Sequence, residues 1–249
     1  MSPTIKRLAI GLAILALTAP GVYCGPWFLD AEAGAAFTGY NDVRIPSDSG
    51  TFFSLADELV PRAAPALRLR FGASRGRHTL LALAAPLTVR GEGTLGRDIL
   101  FYGKRFPAGT EINSSYRFDS YRLTYRYRLK DGPRLGLAAG LTAKVRSADI
   151  TLMSDSAFAR RSDLGVVPLI NFWADYSLGE RSGLLAEGDA LWSPYGRAED
   201  VLVAYRYRPA ENYAFRVGYR LLEGGADGGG KVYTFSLFHY LTAGVTVAF

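Results

Sequence analysis

Along most of the chain, apolar and polar residues alternate with a period of two. From Tyr121 to Leu129 the sequence reads Tyr-Arg-Leu-Thr-Tyr-Arg-Tyr-Arg-Leu. Successive side chains of a strand point to opposite faces. One face therefore collects Tyr121, Leu123, Tyr125, Tyr127 and Leu129, and the other Arg122, Thr124, Arg126 and Arg128. The scheme recurs: Val201, Val203, Tyr205 and Tyr207 oppose Arg206 and Arg208, and Tyr213, Phe215, Val217, Tyr219 and Leu221 oppose Arg216 and Arg220. Leu67, Leu69 and Phe71 oppose Arg68 and Arg70. Leu135, Leu137, Leu141 and Val145 oppose Thr142, Lys144 and Arg146, and Leu29, Ala31, Ala33 and Phe37 oppose Asp30, Glu32 and Thr38.

With weaker segments added, the pattern predicts about ten strands, near 27–40, 64–74, 77–90, 115–129, 133–147, 164–178, 182–193, 199–208, 212–223 and 231–249. Regular β segments without helical periods argue for an all-β barrel or sandwich. The connections alternate in length. Short turns sit at Ser74-Arg75-Gly76, Lys130-Asp131-Gly132, Gly179-Glu180-Arg181 and Pro209-Ala210, and longer links fall at 41–63, 91–114, 148–163, 194–198 and 224–230. Transmembrane barrels have short periplasmic turns and longer external loops. An even strand count puts both ends of the barrel on the short-turn side. Tyr127, Tyr176, Tyr207, Tyr213 and Phe249 then fall near that end, and Phe37, Tyr121, Trp192, Tyr219 and Tyr233 near the other, as two aromatic girdles. Pro86 and Pro168 are expected at bulges or strand ends, because proline cannot donate to a ladder.

The chain ends Leu-Thr-Ala-Gly-Val-Thr-Val-Ala-Phe, with Val245, Val247 and Phe249 on one face. This resembles the bacterial outer-membrane β-barrel family, whose last strand alternates and stops at an aromatic residue. The resemblance implies an antiparallel up-and-down transmembrane barrel, a location in the outer membrane of a Gram-negative bacterium, and a terminal strand read by the outer-membrane assembly machinery. Lipids and lipopolysaccharide are then the implied surroundings. A soluble, lipocalin-like binding barrel with the apolar face inward is the competing fold.

The first residues agree with export. Lys6 and Arg7 precede an apolar stretch from Leu8 to Ala19, followed by Pro20 and Gly21, the layout of a secretory signal peptide. Residues 1–24 are assigned to it, with cleavage near 19–24, and 25–249 to one barrel domain. Cys24 is the one cysteine, so disulfides and multi-cysteine zinc sites are excluded. The net charge is +6. Its cations are spread singly among apolar residues, which gives no nucleic-acid signature.

If the apolar face meets lipid, the charged face fills the lumen. The expected network joins Arg68, Arg70, Arg122, Arg126, Arg128, Lys144, Arg206, Arg216 and Arg220 with Asp30, Glu32, Asp175, Glu187 and Asp189. Ten strands sit near the size that side chains fill. A packed, ion-paired plug is expected, with a narrow anion-favouring pore as the alternative. Folding 182–193 on 199–208 about Pro194–Ala198 sets Glu187 opposite Arg206. Folding 115–129 on 133–147 about residues 130–132 sets Arg126 near Gly136 and Arg122 near Gly140.

Candidates for chemistry are few. The chain has two histidines, His78 and His239. His78 is expected at the periplasmic rim, and His239 at the outer interface on the lipid side. The lipid A deacylase family pairs a histidine with a serine two residues away on a late strand, but His239-Tyr240-Leu241 lacks that serine and Ser236 falls on the opposite face. Omptin-type proteases need paired acids and a histidine at the outer rim. Asp42, Asp48, Asp57 and Glu58 have no such neighbour in sequence. No catalytic constellation, cofactor motif or metal site is expected. Gly224–Gly230 reads as a flexible hairpin loop, and Ser54 is a candidate cap for a short helix at 53–59, or part of a strand.

Overall fold

The structure, a computed structural model, describes residues 27–194, 196–227 and 231–249. The export signal expected over 1–24 lies outside them. Fourteen strands follow: β1 (Trp27–Arg44), β2 (Phe53–Ser54), β3 (Ala64–Arg75), β4 (His78–Ala85), β5 (Thr88–Thr94), β6 (Ile99–Phe101), β7 (Lys104–Phe106), β8 (Glu111–Asp131), β9 (Leu135–Met153), β10 (Phe158–Ser177), β11 (Ser182–Ser193), β12 (Gly196–Ala210), β13 (Tyr213–Asp227) and β14 (Tyr233–Ala248). β4 and β5 both pair with β8 and form one barrel strand, interrupted at Pro86-Leu87. This makes ten antiparallel barrel strands, closed by β14 on β1 from Phe28↔Ala248 to Arg44↔Tyr233.

The two faces of each strand divide as the alternation predicts. Leu141 is 68% exposed, Val217 60% and Leu241 61%, while Arg122, Arg206, Arg216 and Arg220 are buried. A soluble barrel would reverse this arrangement. An apolar exterior of this extent on a closed sheet is stable only against lipid. Of the ten aromatic residues in the two expected girdles, Phe37, Tyr121, Tyr176, Trp192, Tyr207, Tyr219 and Phe249 are exposed.

Near the long-loop end the pattern inverts. On β8, Tyr121, Leu123 and Tyr125 face outward, but Ile112 and Tyr116 face inward, with Arg117 and Asp119 outside them. On β9, Leu141 and Val145 face outward, whereas Ile150 and Leu152 are buried inside, beside outward Asp149 and Thr151. Above the hydrocarbon the exterior meets water and headgroups, so apolar residues gain by turning inward.

They pack under a lid. The connection from Ile45 to Ala63, carrying β2, and the connection from Leu95 to Thr110, carrying the β6–β7 hairpin, fold into the barrel mouth. Phe53, Leu59, Leu95, Ile99, Phe101 and Phe106 are fully buried there against Ile112, Leu152 and Phe238. Burying each such side chain stabilises the lid by about 1.5–3 kcal/mol. Ser54 accepts from the backbone N–H groups of Ala56 and Asp57, while Glu58 accepts from that of Ser54 at 3.1 Å. These bonds close a capped turn after β2, and no helix forms. In the other loop, Asp98 accepts from the Ala108 N–H at 2.8 Å and from Arg105, which holds its carboxyl below the usual range.

Four expectations about connections, two lengths and two registers, are corrected. The links at 148–163 and 194–198 are short, because β9 and β10 run on to Met153 and Phe158, and Ser193 pairs directly with Gly196. The registers shift by four residues in each case: Glu187 faces Leu202 and Arg206 faces Gly183, while Arg126 faces Gly140 and Arg122 faces Lys144. Prolines set both turns. Pro133, without an N–H, lies in the turn after Asp131, and Pro194 at the tip beyond Ser193. Since four is even, every side chain keeps its face.

Pro168 reveals an edge. β10 pairs with β9 from Phe158 to Tyr176, but with β11 only from Ile170 to Ser177. Residues 158–169 thus have no strand partner on the β11 side, which is where Pro168 is tolerated. The comparable gap beside β3 and β5 is covered by the lid, through the Pro61↔Gly91 bridge and the Arg62 N–H on the Arg90 carbonyl at 3.0 Å.

Candidate functional site

The lumen holds three tiers of charge. Uppermost, Asp200 draws in the guanidinium groups of Arg68 at 2.9 Å, Arg122 at 2.6 Å and Arg220 at 2.5 Å. Asp189 beside it pairs with Arg122 at 2.6 Å and accepts from Thr142 and Asn171. Buried Lys144 lies here too, its ammonium 4.9 Å from the centre of the Phe118 ring. In the middle tier, Glu32 takes Arg220 at 2.8 Å and Arg216 at 3.0 Å, and Glu187 takes Arg70 at 2.5 Å and Arg126 at 3.6 Å. In the lowest, Asp30 accepts from Arg70, Arg216 and Thr246, and Asp175 from Arg206 at 2.7 Å.

Thus the structure brings together Arg68, Arg70, Arg122, Arg126, Arg206, Arg216 and Arg220 with Asp30, Glu32, Asp175, Glu187 and Asp189. Arg128 stands apart at the rim with Asp131 at 3.1 Å. The expected Arg206–Glu187 pair is not formed: both point inward, but the shifted register gives Arg206 to Asp175. Asp200 was missed from sequence. Its even parity with Arg206 was the available signal, obscured by Leu202 and Ala204 between them.

Glycines make room for the long cations. A Cβ at Gly244 would lie 2.7 Å from the Arg216 guanidinium carbon, and one at Gly183 would meet Arg206. Arg126 likewise faces Gly140 across the ladder. Arginine opposite glycine is therefore a repeated device, although on different pairs from those the sequence suggested.

Above the tiers the lid closes the mouth. Below them the barrel opens at the short-turn end into a cavity of about 760 Å³. Its floor is the lowest tier, its walls include Phe28, Leu81, Trp173 and Leu185, and its rim carries Arg128, Arg181 and Arg208.

Both histidines lie outside the lumen. His78 opens β4 at the short-turn end, with its Nδ1 2.7 Å from the Tyr125 hydroxyl. His239 faces outward on β14, hydrogen-bonded through Nδ1 to the Tyr219 phenol. Ser236 points inward, to Tyr116. Asp42 faces Phe235 across the β1–β14 ladder, four residues from His239 along β14. Glu58 is engaged by Arg97 at 2.9 Å. Among the described residues no cluster of His, Cys, Asp and Glu is arranged to hold a metal ion.

No family model matches the chain, and no curated protein does. Solved structures do. The outer-membrane protease OmpT from Escherichia coli superimposes with a TM-score of 0.53 at 12% identity, over 92% of this chain and 99% of that one. The translocator domain of the autotransporter NalP from Neisseria meningitidis gives 0.44 at 10% identity, over 99% and 95%. Neisserial surface protein A gives 0.40 at 12%, over 90% and 98%. The fold is that of bacterial outer-membrane β-barrels, and its apolar belt and girdles suit that membrane.

Proposed function

We propose that this outer-membrane barrel is a closed, non-conducting platform with a structural and interaction role. The observation that carries the reading is a double seal. The Asp200 and Glu32 tiers fill the lumen with buried ion pairs, and the lid packs fully buried Phe53, Phe101 and Phe106 across the mouth. A conducting pore of either sign would have to displace both. The outward surface then consists of the lid and the short hairpins beside it, where Phe52, Val60 and Tyr102 remain exposed to partners.

The same reading takes the girdles as contacts to lipid and lipopolysaccharide, and the strand ending Val245, Val247 and Phe249 as what the assembly machinery engages. His239 serves as an interfacial hydrogen-bonding residue rather than a catalyst. OmpT is a protease, but at 12% identity its activity does not transfer.

Planar-bilayer recording of the refolded protein tests the proposal. The expected trace has no steady channel openings at any voltage the bilayer survives. Reproducible wild-type conductance overturns the reading, and reversal of its ion selectivity by Arg122→Glu would identify the arginine-lined lumen as the path.

A further inference from the structure

The cavity at the short-turn end has features that the sealed lumen does not explain. A buried charge without a partner is costly, so charges that only hold a lumen together are expected to be matched. Here seven arginines and five carboxylates line an open space, leaving positive charge in excess. The surplus is at the rim. Arg208 reaches Asp175 only at 3.5 Å, where the carboxylate is already held by Arg206 at 2.7 Å. Arg181 makes no ion pair among the described residues. Deeper in, the Nε groups of Arg206 and Arg216 are buried without an acceptor.

Between these charges the wall carries apolar side chains. Phe28 spreads over Gly72, where a Cβ would collide with its ring, and Trp173 lies against Gly136, where a Cβ would come within 3.0 Å. Trp173 also packs on the small buried cluster of Leu185, Leu202 and Ala204. The Arg128 guanidinium lies over the Trp173 ring, 5.9 Å from its centre, so a cation and an aromatic ring meet at one place on the wall. A volume of about 760 Å³ is within the usual range of about 300–1,000 Å³ for ligand pockets, which combine apolar walls with a few placed polar groups.

We infer that this periplasm-facing cup binds a small organic anion, with its carboxylate or phosphate group between Arg128 and Arg208 and a flat apolar body against Trp173. The closed floor makes the cup a receptor rather than an entrance. Guanidinium groups suit either anion through paired hydrogen bonds. Arg128 and Arg208 are the residues to test, because their side chains are 39% and 48% exposed and their removal strands no buried charge.

Calorimetric titration of the refolded protein in non-ionic detergent, with phenylphosphate as probe, decides the matter. Saturable one-to-one binding is expected, at least about tenfold tighter than for inorganic phosphate, with none for benzyl alcohol. The Arg128→Gln/Arg208→Gln variant should weaken phenylphosphate about tenfold or more. Trp173→Leu should weaken phenylphosphate but leave inorganic phosphate unchanged. Absence of saturable binding by the wild type, or binding indifferent to the arginine pair, overturns the site. Equal affinity for phosphate and phenylphosphate overturns the apolar half. Each titration stands apart from the conductance record, so either reading can fail alone.

Discussion

Asp200 concentrates the energetics of the lumen in one carboxylate. It is 1% exposed and faces three guanidinium groups that are themselves buried. Replacing a buried pair by apolar groups is often neutral, but removing one partner leaves the others uncompensated. Asp200→Asn keeps the shape and removes the charge. It should cost about 3–5 kcal/mol, read as a lower urea midpoint in detergent-supported unfolding. Asp131→Asn, at the exposed Arg128 pair, should stay within about 0.5 kcal/mol. Equal effects would sink the claim that the tiers, rather than ion pairs in general, hold the lumen. Most of these charges were legible in the sequence, because a period of two assigns each residue a face. Their partners were not. Pairing depends on register, and register depended on where Pro133 and Pro194 end their strands.

At the scale of elements, the strands were readable where lipid enforces alternation and less so beyond it. The expected spans stop near 115 on β8 and 147 on β9, whereas the strands extend to Glu111 and Met153. Those outer ends keep the same geometry but exchange apolar and polar faces, so a search for one phase loses them. The lid was invisible for a related reason. Residues 41–63 and 91–114 carry no period, since their apolar residues are gathered by a folded loop rather than by a strand face. Yet among the described residues they supply Phe53, Phe101 and Phe106, three of the four fully buried phenylalanines. Phe101→Ala should remove about 3–5 kcal/mol from the lid and leave the barrel closed. Limited proteolysis should then cut between residues 95 and 110 much faster than in the wild type, with unchanged heat-modifiable migration. A variant as resistant as the wild type would show that the lid is held elsewhere.

For the whole molecule, the closed ten-strand barrel followed from three features jointly: alternation, connections sorted by length, and the terminal aromatic strand. The sorting proved less complete than expected, as only two external connections are long. The architecture nevertheless stood, because an even strand count and an apolar exterior do not depend on loop length. A sheet closed in this way is only as durable as its weakest ladder. Two ladders are short. β3–β4, from Leu69↔Ala84 to Arg75↔His78, has lid backbone bonded into the gap above it. The unsupported one is therefore β10–β11, which spans Ile170↔Ala190 to Ser177↔Gly183. Thermal disassembly should therefore begin there, as a slide fastener parts from its open end. A disulfide from Ile170→Cys/Ala190→Cys should slow heat-induced unfolding far more than one from Val217→Cys/Ala243→Cys, an outward pair inside the continuous β13–β14 ladder. Equal retardation by the two cross-links would mean that the cylinder gives way everywhere at once.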